Sequence, residues 1–147
     1  MGSEQSKGGG LMHSHQVFLD SSFWIAFRDA RQTHHARACE CLTALFRERT
    51  QFVSTPFIFA EVHATFARSQ PVREKIIADF WENPLLHFAE VTDADHREAI
   101  RLLRQHADKS YPFCDAISLV VMRRLGVKRV AAFDDHFRQF GWCEVIG

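Results

Sequence analysis

Apolar positions along this chain fall in short blocks of two kinds, and the blocks alternate. Val17-Phe18-Leu19 is apolar at every position and stops at Asp20-Ser21-Ser22. A fully apolar run followed by N-cap residues predicts a strand buried on both faces that leads into a short helix over 23–27. Residues 34–49 carry Ala36, Ala38, Cys39, Leu42, Leu45 and Phe46 at helical spacing. Phe52-Val53-Ser54 reads as a second strand, and Thr55-Pro56 as an N-cap with proline at the first helical position. That helix is expected to reach about residue 68, and another to run over 71–81.

Residues 85–91 read as a third strand, after which Thr92 caps a helix bearing Ala94, Ala99, Leu102 and Leu103. A loop over 108–112 opens a strongly apolar helix, 113–125, closed by Gly126 in the left-handed region. A fourth strand, 130–133, ends on Asp134-Asp135; a short helix then reaches Gly141, and 143–146 is a terminal strand. Strands alternating with helices predict an α/β fold, a parallel sheet with helices on both faces. Chemistry in such sheets collects at the carboxyl ends of the strands, near the topological switch point. Met1 to Gln16, with Gly8-Gly9-Gly10 and no periodicity, reads as a flexible tail, which leaves one domain over 17–147.

Composition narrows the function classes. The chain has 147 residues, 46% hydrophobic, with 18 Lys+Arg balancing 18 Asp+Glu, so a real core is affordable and bulk basicity is absent. No apolar stretch is long enough to span a bilayer and no signal peptide is visible, so a cytoplasmic protein is expected. Cys39, Cys41, Cys114 and Cys143 have neither zinc nor redox spacing and do not suggest a disulfide scaffold. The nine histidines show no metal-ligand motif and read mostly as surface or packing residues. Fourteen of the 18 cations are arginine, a residue that forks onto phosphate but that also follows genome composition.

Four acids stand out. Asp20 and Asp134 follow strands that emerge on one edge of a parallel sheet; Asp115 lies in the first turn of helix 113–125, on the face shared with Leu119 and Met122. Glu61 is embedded in Phe57-Ile58-Phe59-Ala60 and Val62, where a carboxylate needs a partner. Each also has a bland reading: Asp20 and Asp134 as helix caps, Asp115 as a dipole-favoured acid, Glu61 as a partner of Arg68. Together on one edge they would repel and raise one another's pKa unless a hard cation, Mg²⁺ or Mn²⁺, sat among them.

These residues resemble a known family. The segments Val17-Phe18-Leu19-Asp20-Ser21-Ser22, Phe59-Ala60-Glu61-Val62, Cys114-Asp115-Ala116-Ile117-Ser118, Val121-Met122-Arg123-Arg124-Leu125-Gly126 and Phe133-Asp134-Asp135-His136-Phe137 with Phe140-Gly141 are similar in order and separation to those of PIN-domain ribonucleases. Within that superfamily they are most like the VapC-type toxins of toxin–antitoxin pairs. The resemblance implies a five-stranded parallel sheet in an α/β/α sandwich and a Mg²⁺-dependent endoribonuclease, with Mn²⁺ as a substitute, cleaving tRNA or other RNA to inhibit translation. It implies that Asp20 and Asp115 bind the metal directly, and that Glu61 and Asp134, rather than Asp135, complete the cluster through water. It further implies a cognate antitoxin over the acidic groove and a homodimer, for which Trp24, Trp81 and the many Phe residues would supply apolar surface. One departure is Pro112, where relatives often carry a hydroxyl; Ser21 and Ser110 are possible substitutes.

Three rivals remain: a catalytically silent PIN module, a PIN nuclease of RNA processing or DNA flaps, and a phosphotransfer receiver. The acidic set has no gap, no segment is spare for a flap clamp, and Lys128 precedes the late strand where a receiver wants a lysine at its end. Setting the four acids aside leaves 18 positive against 14 negative charges, so a neutral total does not exclude an RNA substrate.

Overall fold

The computed structural model describes residues 15–147. Their strands form one five-stranded sheet, all parallel, in the order β3-β2-β1-β4-β5. The central strand β1 (Gln16–Leu19) is buried at all four positions, as an apolar run flanked on both sides must be. β2 (Gln51–Ser54) pairs with it on one side and β4 (Arg129–Ala131) on the other, while β3 (Leu86–Phe88) and β5 (Glu144–Ile146) form the edges. The chain winds from β1 outward to β3, then crosses back to β4, which places the switch point between β1 and β4.

Seven helices connect the described strands. α1 (Ser21–Arg28) and α2 (His35–Arg47) follow β1; α3 (Pro56–Thr65) and α4 (Gln70–Trp81) follow β2. α5 (Asp93–Gln105) and α6 (Phe113–Leu125) follow β3, and α7 (His136–Phe140) precedes β5. In α6 every residue from Cys114 to Met122 is buried, so this helix is apolar all round because it is surrounded by protein. Gly126 ends it at φ 72°, its N–H on the Arg123 and Met122 carbonyls, a conformation that a side chain would disfavour. Thr92 and Asp95 form a reciprocal capping box at the start of α5, and Asp95 also takes a forked Arg124 guanidinium from α6 at 2.9–3.2 Å.

The element order agrees with the sequence pattern; several ends do not. The tail expected over 1–16 lies outside the described residues except for His15 and Gln16, and Gln16 is already the first residue of β1. β3 covers three residues rather than 85–91, because its partner β2 ends at Ser54, paired with Phe88, and gives way to α3. α3 stops at Thr65, short of residue 68, where Phe66 tightens into a turn on the Val62 and His63 carbonyls. β4 ends at Ala131 rather than Phe133, since β1 has itself ended: Leu19 pairs with Ala131, and the next amide, Asp20 N–H, bonds the Ala131 carbonyl at 3.0 Å. Trp24 is a core residue and not dimer surface; Trp81 is 57% exposed. All four cysteines are free thiols. Among the described residues no helix is long and apolar enough to cross a membrane.

Candidate active site

Asp20 begins α1 as its N-cap, and its two carboxylate oxygens have different surroundings. Oδ2 accepts from the Ser22 N–H at 3.2 Å and from the Ser22 hydroxyl at 2.6 Å. Oδ1 is buried and has no hydrogen-bond partner among the described residues. One carboxylate oxygen thus serves as the helix cap, and the other remains available to a ligand. A buried carboxylate oxygen left unpaired is costly. Burial, then the charge of Asp134, pushes the Asp20 carboxyl well above its usual range, against the opposing pull of the Ser22 hydroxyl; Asp115 adds to the repulsion.

Asp115 reaches the same place from α6. The helix starts after Pro112, whose carbonyl accepts the Asp115 N–H at 3.1 Å, and the first turn then delivers the acid to the inside of the fold, 4% exposed. Its carboxyl is pushed up to about 6, chiefly by burial and then by Asp134, with His136 opposing and Glu61 adding to the rise. Asp134 is half-buried in the turn after β4, where its Oδ1 accepts the His136 N–H at 3.1 Å. Asp135 is exposed and stands 3.9 Å from Arg138, on the solvent side of that turn.

Three of the four acids singled out from the sequence, Asp20, Asp115 and Asp134, therefore come together at the switch point. Glu61 does not share their burial. Its side chain is exposed on α3, and the apolar neighbours that made it look enclosed point elsewhere: Ile58 and Val62 into the core, Phe59 onto Phe80 and Trp81. Among the described residues it makes no ion pair with Arg68. Its charge is nonetheless felt at Asp115, and it reaches the buried Cys114 thiol, which burial and then Glu61 hold protonated well above the ordinary range.

Two residues of the site carried no assigned role in the sequence. His136 Nδ1 lies 2.6 Å from Asp115 Oδ2 and 3.8 Å from Asp134 Oδ1, and ligand atoms of these three residues all fall within 4.8 Å of one another. Its signal was the spacing Asp134-x-His136, visible within the quoted motif but indistinguishable from an ordinary helix start. Ser22 was visible only as one of three N-cap candidates. Ser110 is exposed, and among the described residues neither Ser21 nor Ser110 bonds Asp115, so the hydroxyl expected to orient that acid is replaced by the imidazole. The receiver alternative fails on geometry: exposed Lys128 precedes β4 and lies at the opposite edge of the sheet from the acids.

The donors present suit a hard divalent cation. They are oxygen-rich, mutually repulsive while ionised, and include one buried carboxylate oxygen with nothing to bind. A parallel five-stranded α/β domain with such a cluster at its switch point has the architecture of a nuclease. The PIN-domain family model matches residues 17–142, and the chain belongs to that family.

Over 131 residues the chain is 30% identical to the 23S rRNA-specific endonuclease VapC20 of Mycobacterium tuberculosis, covering 88% of this chain and 97% of that protein. The crystal structure of that organism's VapC20, described as a sarcin–ricin loop cleaving toxin, superimposes with a TM-score of 0.79 at 25% identity, covering 89% and 99% of the two chains. FitAcB from Neisseria gonorrhoeae shares the fold, with a TM-score of 0.61 at 16% identity over 89% of this chain and 96% of that one.

Proposed function

We propose that this protein is a VapC-type toxin: a divalent-cation-dependent endoribonuclease that cleaves RNA phosphodiester bonds, inhibits translation and is restrained by a cognate antitoxin. The observation that carries the reading is the unpartnered, buried Oδ1 of Asp20 beside Asp115 and Asp134. In this reading Asp20 and Asp115 hold Mg²⁺, or Mn²⁺ in its place, while Asp134 and Glu61 complete the shell through water. When bound, the cation supplies charge that offsets the charge developing on the scissile phosphate and makes water more acidic. Ser22 fixes the capping oxygen of Asp20 and so aims the other; His136 fixes Asp115. Glu61, exposed at the rim, accepts the proton released as water attacks.

Of the possible RNA targets, ribosomal RNA comes ahead of tRNA, because the relatives named above are a 23S rRNA endonuclease and a sarcin–ricin loop cleaving toxin. A silent binding module is disfavoured by the complete acidic set. The protein is proposed to act in the cytoplasm as a homodimer that uses exposed apolar side chains such as Trp81, 57% exposed. Light scattering at tens of micromolar tests the dimer, and a monomer there refutes it.

The direct test incubates the purified protein with a synthetic sarcin–ricin stem-loop, and separately with tRNA, in Mg²⁺, Mn²⁺ or EDTA. Cleavage of the stem-loop that needs the cation and disappears in Asp20→Asn and Asp115→Asn is expected. Near-native cleavage by both variants, or cleavage in EDTA, overturns the reading.

A further inference from the structure

His34 ends the loop between α1 and α2 as the N-cap of α2, His35 is the first residue of that helix, and the two rings face different surroundings. His35 turns inward: its Nδ1 is 2.8 Å from the Ala26 carbonyl and its Nε2 is 3.6 Å from the Cys39 thiol. His34 is exposed and lies flat on Phe133, with ring centroids 4.6 Å apart and planes 4° from parallel. Phe133 lies in turn nearly parallel to Phe23, at 5.9 Å and 8°. The result is a column of three near-parallel rings that begins in the core at buried Phe23 and ends in solvent at His34.

The column is fixed at its base and open at its tip. Phe133 is held by its own N–H, which donates to the Ser22 hydroxyl at 3.0 Å, the same hydroxyl that holds Asp20. Phe133 is also the residue immediately before Asp134, so the column rises from the rim of the acid cluster. Among the described residues no other ring lies against His34. Its neighbours in the loop, Arg31, Gln32, Thr33 and nearby Arg37, are all exposed, polar or cationic. Such surroundings do not suit an apolar peptide, but they suit a nucleotide, which offers a flat ring and a phosphate together.

We propose that the outer face of His34 is a stacking platform for one unpaired nucleobase of the RNA, next to the bond presented to the acid cluster. The inference rests on the nuclease reading above and names what positions its substrate. Every base has a π-face, and recognition of unpaired bases by stacking on aromatic or histidine rings is a general mode of RNA binding. Because the rings beneath are already ordered, a base adds to the end of the column with little rearrangement.

The test uses a sarcin–ricin stem-loop with 2-aminopurine placed in turn at each unpaired position flanking the cut. Binding is followed in the Asp20→Asn background so that no cleavage occurs. With His34 intact, fluorescence at one position is expected to be quenched on binding. His34→Ala is expected to abolish that quenching and weaken RNA binding about tenfold, and His34→Trp to restore both. In the otherwise unaltered protein, His34→Ala is expected to raise KM more than it lowers kcat. Quenching and affinity unchanged within roughly twofold in His34→Ala overturn the platform, even if the protein cleaves RNA. Quenching that depends on His34, in a protein that never cleaves, upholds the platform and overturns the nuclease reading instead. Failure to bind the RNA at all, or binding only of a protein partner at His34, overturns the platform.

Discussion

The Phe133 N–H donates to the Ser22 hydroxyl at 3.0 Å, across 111 positions of sequence, and that hydroxyl donates onward to Asp20 at 2.6 Å. One hydroxyl thus ties the exit of β4 to the exit of β1 at the switch point and sets the orientation of a buried acid. Its removal affects both the seam between the strands and the aim of Asp20 Oδ1.

Ser22→Ala is therefore expected to lower RNA cleavage by roughly 10- to 100-fold, the range typical when a group supporting a metal ligand is lost. Thermal stability should also fall, since the Phe133 N–H loses its acceptor. Steady-state cleavage with a parallel melting curve checks this; unchanged activity would mean that Asp20 is oriented without Ser22.

Substitution of the acids should separate stability from activity. Burial and the charge of Asp134 both oppose ionisation of Asp20, so Asp20→Asn is expected to raise the melting temperature in EDTA at neutral pH and above. The same substitution should lower cleavage by at least ~100-fold and abolish the melting shift produced by Mg²⁺ or Mn²⁺. A destabilised Asp20→Asn protein in EDTA would argue that the acids do not repel.

The pH dependence follows from Asp115, whose carboxyl is pushed up to about 6, above the ordinary aspartate value of about 3.9. Its folded form holds a proton more tightly than the unfolded chain, so unfolding releases it. The metal-free protein should lose stability as pH rises from about 4 to 6, by roughly 3 kcal/mol from this group, and level off above. Asp20, raised by burial and by Asp134, contributes in the same direction. Cation binding must displace these protons, so the melting shift induced by Mn²⁺ should grow between pH 5 and 7. Denaturant unfolding in EDTA across this range, with Asp115→Asn flattening the profile, provides the measurement.

Away from the site, Asp95 closes the capping box of α5 and receives the Arg124 fork from α6. Burial would raise its carboxyl, but the Arg124 contact and the Thr92 hydrogen bonds together oppose this and hold it below the usual value. Asp95→Ala removes a cap and leaves a guanidinium without its anion. A loss of about 2–3 kcal/mol in chemical denaturation is expected, with no change in the metal-induced melting shift.

The sequence by itself determined the order of the strands and helices, the parallel sheet and the edge on which Asp20 and Asp134 emerge. These follow from local signals that act within a few residues: the unbroken apolar run 17–19, proline after Thr55, and Gly126 after an apolar helix. It also singled out Asp115, because the face of a helix is fixed by its period. Only the tertiary structure decided what depends on contacts between distant segments. Glu61 looked enclosed by its neighbours in sequence, yet successive helical positions face in different directions, and its own side chain is exposed beside Cys114 rather than packed among them. His136 and Ser22 entered the site because the ends of β1 and β4 and the start of α6 converge there. The ring column from Phe23 through Phe133 to His34 joins three separate segments in the same way. Periodicity places a residue on a face; what that face meets is set by packing across the fold.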